Sequence, residues 1–368
     1  MKHFEYGDRE VGTLEVFASV ANMVIGFGVL MLPRSIVEIT KSVDGWISIV
    51  IGGACALTFT WILSKLISRF PKQNVYSIAA VLLGRPAAVF VTLLFALYML
   101  LFTGYETRGV ATISRIYLFD RTPIEVISLV FLLVLVYGVA GPSAALLRLN
   151  LIFLPIVVLL LTALILMNIG FFEFRNLKPF FAADWRDVLY ASKESVFSFM
   201  GFDILLFYNA FINRPLKIAK AASLGLLLPF FLYLLVFVFT IGVFGVDVTG
   251  SVLYPTAELA KEVQVPGGFF ERFESIFFSV WVMTLFSTAA MAFDVSLLAL
   301  ESVFKKANRF TLILWLTPVI YLAGMQPQNL LEIRIFGEWI SYAGIGFGMV
   351  VPTLLLLLSL LRRRKKSA

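Results

Sequence analysis

Two short stretches carry the most unusual chemistry in this sequence. Ile25-Gly26-Phe27-Gly28-Val29, followed by Pro33, places two glycines two residues apart inside an apolar run. Phe199-Met200-Gly201-Phe202-Asp203 places a glycine and a carboxylate at the centre of another. Glycine weakens a helix by roughly 0.5–1 kcal/mol relative to alanine, and a backbone group freed inside a bilayer must find a partner within the protein. Both stretches therefore predict helix breaks. The N–H and C=O groups at half-helix ends can receive the two charged ends of a zwitterion. N–H groups at Gly26, Phe27, Gly28 and Val29 suit a carboxylate, and carbonyls around Phe199, Met200 and Gly201, beside Phe202, suit an ammonium. Gly26 and Gly28 also leave room for a ligand to approach the backbone.

Other residues extend this candidate site. Tyr98 and Phe102 lie four apart and share a helix face; Tyr98 is equally well read as a packed aromatic. Ser287 and Thr288 offer hydroxyls, although such groups often bond back to their own helix. Ionisable residues within apolar runs are functional candidates by default. Asp203, beside the second break, is a candidate to carry a proton or to fix the unwound backbone. Asp294 is expected either to pair with a neighbouring helix or to line an exit. Glu106 and Arg108 are expected to form an ion pair, mutual or interhelical, and Lys193 and Glu194 to lie at the interface. Several classes drop out. One cysteine (Cys55) and one histidine (His3) leave no disulfide framework, zinc site or triad. GxxxxGK[ST] does not occur, so nucleotide-driven pumping is not expected. No catalytic residue, metal or cofactor is expected.

The elements that must position these groups follow from composition. Of 368 residues, 60% are hydrophobic and only 14% charged, against about 25% charged in soluble domains. A bilayer core needs roughly 20 apolar residues per helix. Ten such runs can be read: Thr13–Ile39, Gly45–Leu66, Ala87–Ile113, Ile124–Val139, Leu146–Ile169, Val188–Ile212, Ala221–Phe244, Phe270–Val303, Thr311–Gly324 and Ile335–Leu361. The fourth and ninth are short. Acidic Glu5, Asp8 and Glu10 precede a first run too long for a cleavable signal. With both termini cytoplasmic, inner segments hold 18 of the 30 basic residues, the sense the positive-inside rule requires. The tail Arg362–Lys366 suits anionic lipid headgroups. Basic residues placed between and after apolar spans do not suggest nucleic acid as a partner.

Spans one and six, which carry the breaks, hold corresponding positions in two five-span halves, about 13–169 and 188–361, within one transmembrane domain. Interrupted helices at corresponding positions point to a transporter-type binding site. The connectors agree: Pro71–Gly84, between spans two and three, reads as a short helix, and so does Pro255–Val263, between spans seven and eight and before Pro266-Gly267-Gly268. The two connectors fall on opposite faces.

Gly26-Phe27-Gly28-Val29-Leu30-Met31-Leu32-Pro33 resembles the first helix of amino-acid permeases in the amino acid–polyamine–organocation superfamily, and Phe199–Asp203 resembles their sixth-helix break. Ten spans, the Tyr6-Gly7 to Ile25 opening and the Phe70-Pro71 to Leu83-Gly84 loop are more specifically similar to the B subunits of bacterial spore germinant receptors, the GerAB-like spore germination permeases. The resemblance implies an all-α integral membrane protein with ten transmembrane helices. These would form a five-plus-five inverted repeat, a LeuT-like core with helices 1 and 6 interrupted. It implies a nutrient ligand, commonly an amino acid, and partners: a receptor A subunit and a C lipoprotein in the spore inner membrane. Secondary amino-acid transport with H⁺ or Na⁺ and an ion- or water-conducting subunit remain alternatives. No lysine stands in the fifth span, where some proton-coupled relatives carry one.

Overall fold

The first apolar run is not one helix. In the computed structural model, which describes residues 10–263 and 273–366, α1 (Thr13–Ile25) stops at Gly26, and α2 (Gly28–Thr40) leaves it at 46°. Pro33 lies inside α2 and has no N–H to offer the Val29 carbonyl one turn back. The Thr256 hydroxyl donates to that carbonyl instead, at 2.7 Å. The proline gap is thereby filled from α11 (Pro255–Glu262), the short connector helix expected between spans seven and eight.

Next come α3 (Gly45–Arg69), α4 (Val75–Leu83), α5 (Arg85–Tyr117), α6 (Ile124–Ala140) and α7 (Ser143–Met167). The α4 connector starts at Val75 rather than Pro71. Lys72 adopts a left-handed turn conformation, and the Asn74 side chain caps the helix by accepting the Ser77 N–H at 3.0 Å. After α8 (Trp185–Ser198) the chain unwinds and then runs through short 3-10 turns around α9 (Leu205–Tyr208). The expected span at Val188–Ile212 is therefore half helix and half irregular, with residues 202–209 fully buried. The seventh span, α10 (Ile218–Ser251), is bent at Gly245, whose φ of 75° only glycine adopts without strain.

The last elements are α12 (Phe273–Val303), α13 (Arg309–Met325), α14 (Leu330–Ile345) and α15 (Val351–Lys366). The tenth span runs on as one helix, with a π turn at Gly346–Val350 joining α14 to α15. By length and composition, six helices can each cross a membrane, seven when α1 and α2 count as one bent span. The short apolar helices α6 and α13 and the interrupted sixth span complete ten. His3, Glu5, Tyr6, Gly7, Asp8, Pro266–Gly268, the start of span eight at Phe270 and the basic side chains beyond Arg362 lie outside the described residues.

We call the end of the bundle where α1 starts the proximal face, and the end where α2 finishes the distal face. The proximal face is clasped. Val11 N–H donates to the Phe211 carbonyl at 2.8 Å and Asn213 N–H to the Val11 carbonyl at 3.1 Å. Asn209 Nδ2 donates to the carbonyls of Phe70 and Gln73 at 2.9 and 2.7 Å.

On the distal face, Asp44 precedes α3 but does not cap it. Its carboxylate accepts the N–H groups of Phe181, Ala182 and Ala183 at 2.6–2.9 Å, and the Ser42 hydroxyl at 2.9 Å. Burial pushes the Asp44 carboxyl up, but these donors outweigh it and hold it below the ordinary aspartate range. A carboxyl depressed in the fold stabilises it above the unfolded pKa of about 3.9 and loses that contribution as pH falls through the folded value. Hydrogen exchange at the three amides is therefore expected to stay slow from neutrality to about pH 4 and to quicken below it. Asp44→Ala should speed their exchange about tenfold at neutral pH. Equal exchange in both proteins would show that the loop is held by something else.

Candidate functional site

Tyr233, on α10, holds both breaks together. It is fully buried, and its hydroxyl donates to the Val24 carbonyl of α1 at 2.5 Å, with the Ser198 carbonyl, which ends α8, at 3.2 Å. A carbonyl released where helix bonding stops must be satisfied from elsewhere in the protein. Here one phenol serves two released carbonyls. The second break presses directly on the first. Gly201 has φ of 126°, and a Cβ there would stand 2.8 Å from Met23 Cγ. Glycine is required on both grounds.

Above these breaks lies a cavity of about 380 Å³ that opens toward the distal face. Its floor and walls include Gly26, Phe27, Gly28, Tyr98, Phe102, Tyr105, Glu106, Met200 and Gly201. The N–H groups of Phe27, Gly28 and Val29 make no backbone hydrogen bond among the described residues. Those of Phe27 and Gly28 belong to cavity-lining residues at the start of α2, the positive end of a helix dipole. Phe27 and Tyr105 pack edge to face at 6.0 Å, and Tyr98 meets Phe102 in the same way at 6.5 Å. Arg34, Glu38, Arg334 and Glu338 edge the mouth in a chain of ion pairs: Arg34–Glu38 at 2.7 Å, Arg334–Glu38 at 3.5 Å and Arg334–Glu338 at 3.5 Å. Exposed pairs of this kind contribute about 0–1 kcal/mol each, so the chain can open at little cost.

The structure brings together Gly26, Phe27, Gly28, Tyr98, Phe102, Met200 and Gly201 on the cavity. Five other candidates do not line it. Val29 is buried against α11. Phe199 packs on Phe230 and Tyr233, and Phe202 lies behind Met200 beside Gly348. Ser287 and Thr288 have their hydroxyls engaged below the break. Ser287 donates to Asn150 Oδ1, while the Thr288 hydroxyl lies between the carbonyls of Asn22 (3.3 Å) and Thr284 (3.1 Å). Asn22 Nδ2 also donates to Asn150 Oδ1, at 2.8 Å. This buried cluster ties α1, α7 and α12, at perhaps 0.6–2 kcal/mol per interhelical bond. The space at Gly28 is also not a ligand's: a Cβ there would stand 2.2 Å from Tyr233 Oη.

The ionisable candidates divide. Asp203 is buried outside the cavity, with neither carboxylate oxygen in a well-formed hydrogen bond; Tyr98 lines the cavity and turns its hydroxyl toward it. Asp294 accepts from Ser143 Oγ and Tyr208 Oη, both at 2.9 Å, and from Arg309 Nη2. Arg309 also bonds the Val139 carbonyl. The expected Glu106–Arg108 pair does not form: Glu106 faces the cavity and Arg108 reaches Met325 Sδ. Helix periodicity explains this, because residues two apart point to different sides. Lys193 pairs with Glu194 at 3.6 Å and lies over the rings of Tyr190, Phe197 and Tyr342, while Glu194 lines the cavity wall. Sequence reasoning missed Tyr233, Tyr105, and the α14 wall at Ile340 and Ser341. Tyr233 alone left a signal, as a polar-tipped aromatic near mid-span.

Interrupted first and sixth spans meeting beneath an aromatic cavity define a membrane protein of the transporter type. Solved structures have the same fold. MhsT in complex with L-phenylalanine superposes with a TM-score of 0.63 at 15% identity, covering 95% of this chain and 98% of its own. Mhp1, a nucleobase-cation-symport-1 family transporter in a closed conformation with bromovinylhydantoin bound, gives 0.65 at 16% identity, over 93% and 77%. The architecture is thus the LeuT-like one of ten spans in a five-plus-five repeat. The family model for spore germination protein matches residues 10–333. Among curated relatives, spore germination protein GerLB of Bacillus cereus is 37% identical over 99% of this chain and 98% of its own. YndE of Bacillus subtilis (strain 168), also a spore germination protein, is 30% identical over 96% and 98%. The chain belongs to the spore germination permease family, and it is an integral membrane protein.

Proposed function

We propose that this protein is the nutrient-sensing subunit of a spore germinant receptor. It binds an amino acid where α1 and α8 break, and the resulting change in the bundle triggers germination. Its place is the spore inner membrane, with both termini cytoplasmic, beside the A subunit and C lipoprotein that the family resemblance implies. One observation carries the reading: an aromatic cavity that ends on unbonded backbone N–H groups and stops above a clasped proximal face. MhsT holds L-phenylalanine in the same fold, which supports an amino acid as the ligand class. A ligand shifts such a protein only by the difference in its affinity for two conformations, so a sensor needs the site but no passage through it.

Calorimetric titration of the purified protein with single L-amino acids is expected to give saturable heat for at least one. Gly26→Trp, at a cavity-lining glycine whose Cβ would meet Thr288 at 3.6 Å, disrupts the break and should weaken that binding at least about tenfold, the loss of some 1.4 kcal/mol. Equal heats from both proteins would sink the site. In proteoliposomes, the amino acid that binds is expected to show no counterflow; robust uptake by this chain alone would favour a secondary transporter instead.

A further inference from the structure

Glu106 is the group in the cavity whose electrostatics are unfinished. It is 2% exposed, and its Oε2 has no hydrogen-bond partner among the described residues. An ionised carboxylate held away from water without a partner is costly, and such a group is normally paired. Among the described residues no cation forms an ion pair with it. Arg108 turns to Met325, Arg34 is bound to Glu38, Arg334 lies between Glu38 and Glu338, and Lys193 sits on Glu194. In the same cavity the need is reversed: the N–H groups of Phe27 and Gly28, at the positive end of α2, have no hydrogen-bond acceptor among the described residues. Glu106 lines the same cavity as Phe27 and Gly28, and the Phe27 ring lies against Gly109, one turn along α5 from Glu106. The donors and the carboxylate therefore belong to one compact site.

We infer that Glu106 is the subsite for a protonated amine, so that the ligand class is an α-amino acid held by its ammonium at Glu106 and its carboxylate at the start of α2. The faces of Phe27 and Tyr105, beside Glu106, add cation–π attraction for the same ammonium. This site differs from the ammonium site expected from the sequence, the carbonyls around Phe199–Gly201. The inference rests on the reading of the cavity as a ligand site and specifies which chemistry that site selects.

The test uses the full-length protein in lipid nanodiscs. Each of the twenty L-amino acids is titrated calorimetrically, and each that binds is compared with the carboxylic acid that lacks its amino group. For wild type, removing the amine should weaken binding at least about 30-fold, the scale for losing one partner of a buried charge pair. Glu106→Gln should lose at least about 30-fold for the amino acid while its preference over the amine-free acid collapses toward one. Glu106→Asp, shorter but still charged, should retain part of that preference. An amine-free acid that binds wild type as tightly as the amino acid overturns the inference, as does a Glu106→Gln protein with full affinity. If Glu106→Gln does not fold, Glu106→Asp decides: its preference for the amino acid over the amine-free acid should fall below that of wild type, and an unchanged preference overturns the inference. If no L-amino acid binds wild type, the ligand-site reading itself fails and takes this inference with it, a result distinct from equal binding of acid and amino acid.

Discussion

Gly28→Ala abolishes the ligand response, and Tyr233→Phe in the same chain partly restores it. That is the expected result at a tightly crowded point of the site. The added Cβ would lie 2.2 Å from Tyr233 Oη, 2.9 Å from its Cζ and 3.3 Å from Ser198 Cβ. Tyr233 has no space to retreat into, being fully buried with its hydroxyl on the Val24 carbonyl. Overpacking of this degree costs about 1–3 kcal/mol, and displacing the phenol frees a buried carbonyl for about 1–3 kcal/mol more. Calorimetric binding should vanish, and the unfolding midpoint in detergent should fall. Tyr233→Phe alone should weaken the fold by about 1–3 kcal/mol through the same carbonyl. In combination, the missing oxygen removes the closest clash, so the double variant should be less damaged than the sum by about 0.5–3 kcal/mol. Strict additivity would mean that the two residues do not meet as described.

The second large effect belongs to Asp294. Its carboxylate gathers Ser143 from α7, Tyr208 from α9 and Arg309 at the start of α13. Asp294→Ala leaves the Arg309 guanidinium, which is 23% exposed, without that partner. Breaking a buried pair from one side costs about 3–5 kcal/mol, which denaturant unfolding in micelles should register. Glu301→Ala is the internal control. Glu301 lies 3.6 Å from the same arginine but is 29% exposed, and its removal should cost no more than about 1 kcal/mol. Asp294→Leu with Arg309→Met should recover most of the loss, because buried pairs are often replaceable by apolar groups. A gating role without structural weight would instead leave Asp294→Ala as stable as wild type.

Both helix breaks were legible in the sequence because glycine and proline disrupt helices locally, whatever surrounds them. The connector helices α4 and α11 were legible too, through capping and stop signals. The occupants of the breaks were not. Tyr233 reaches Val24 across 209 residues, and no periodicity within span seven marks one tyrosine for that contact. Gly28 shows the limit well: the need for a glycine was visible, but a phenol of the protein claims the space. Thr288 bonds back to Thr284 in its own helix, as such hydroxyls often do, but its contact with Asn22 and the Ser287 bond to Asn150 reach other spans. The π turn at Gly346–Val350 has no local signature beyond two glycines, so the tenth span read as regular. Glu106 was assigned a neighbour in sequence because the cavity it faces is lined by Phe27 and Met200 from other spans, which only the tertiary fold brings there.

The clasp between Val11, Phe211 and Asn213, with Asn209 on Phe70 and Gln73, gives the cavity a blind end. In this conformation a metabolite that enters must return by the doorway it came through. Exchange of any guest is then with one side of the bundle alone, and its residence is set by a single opening.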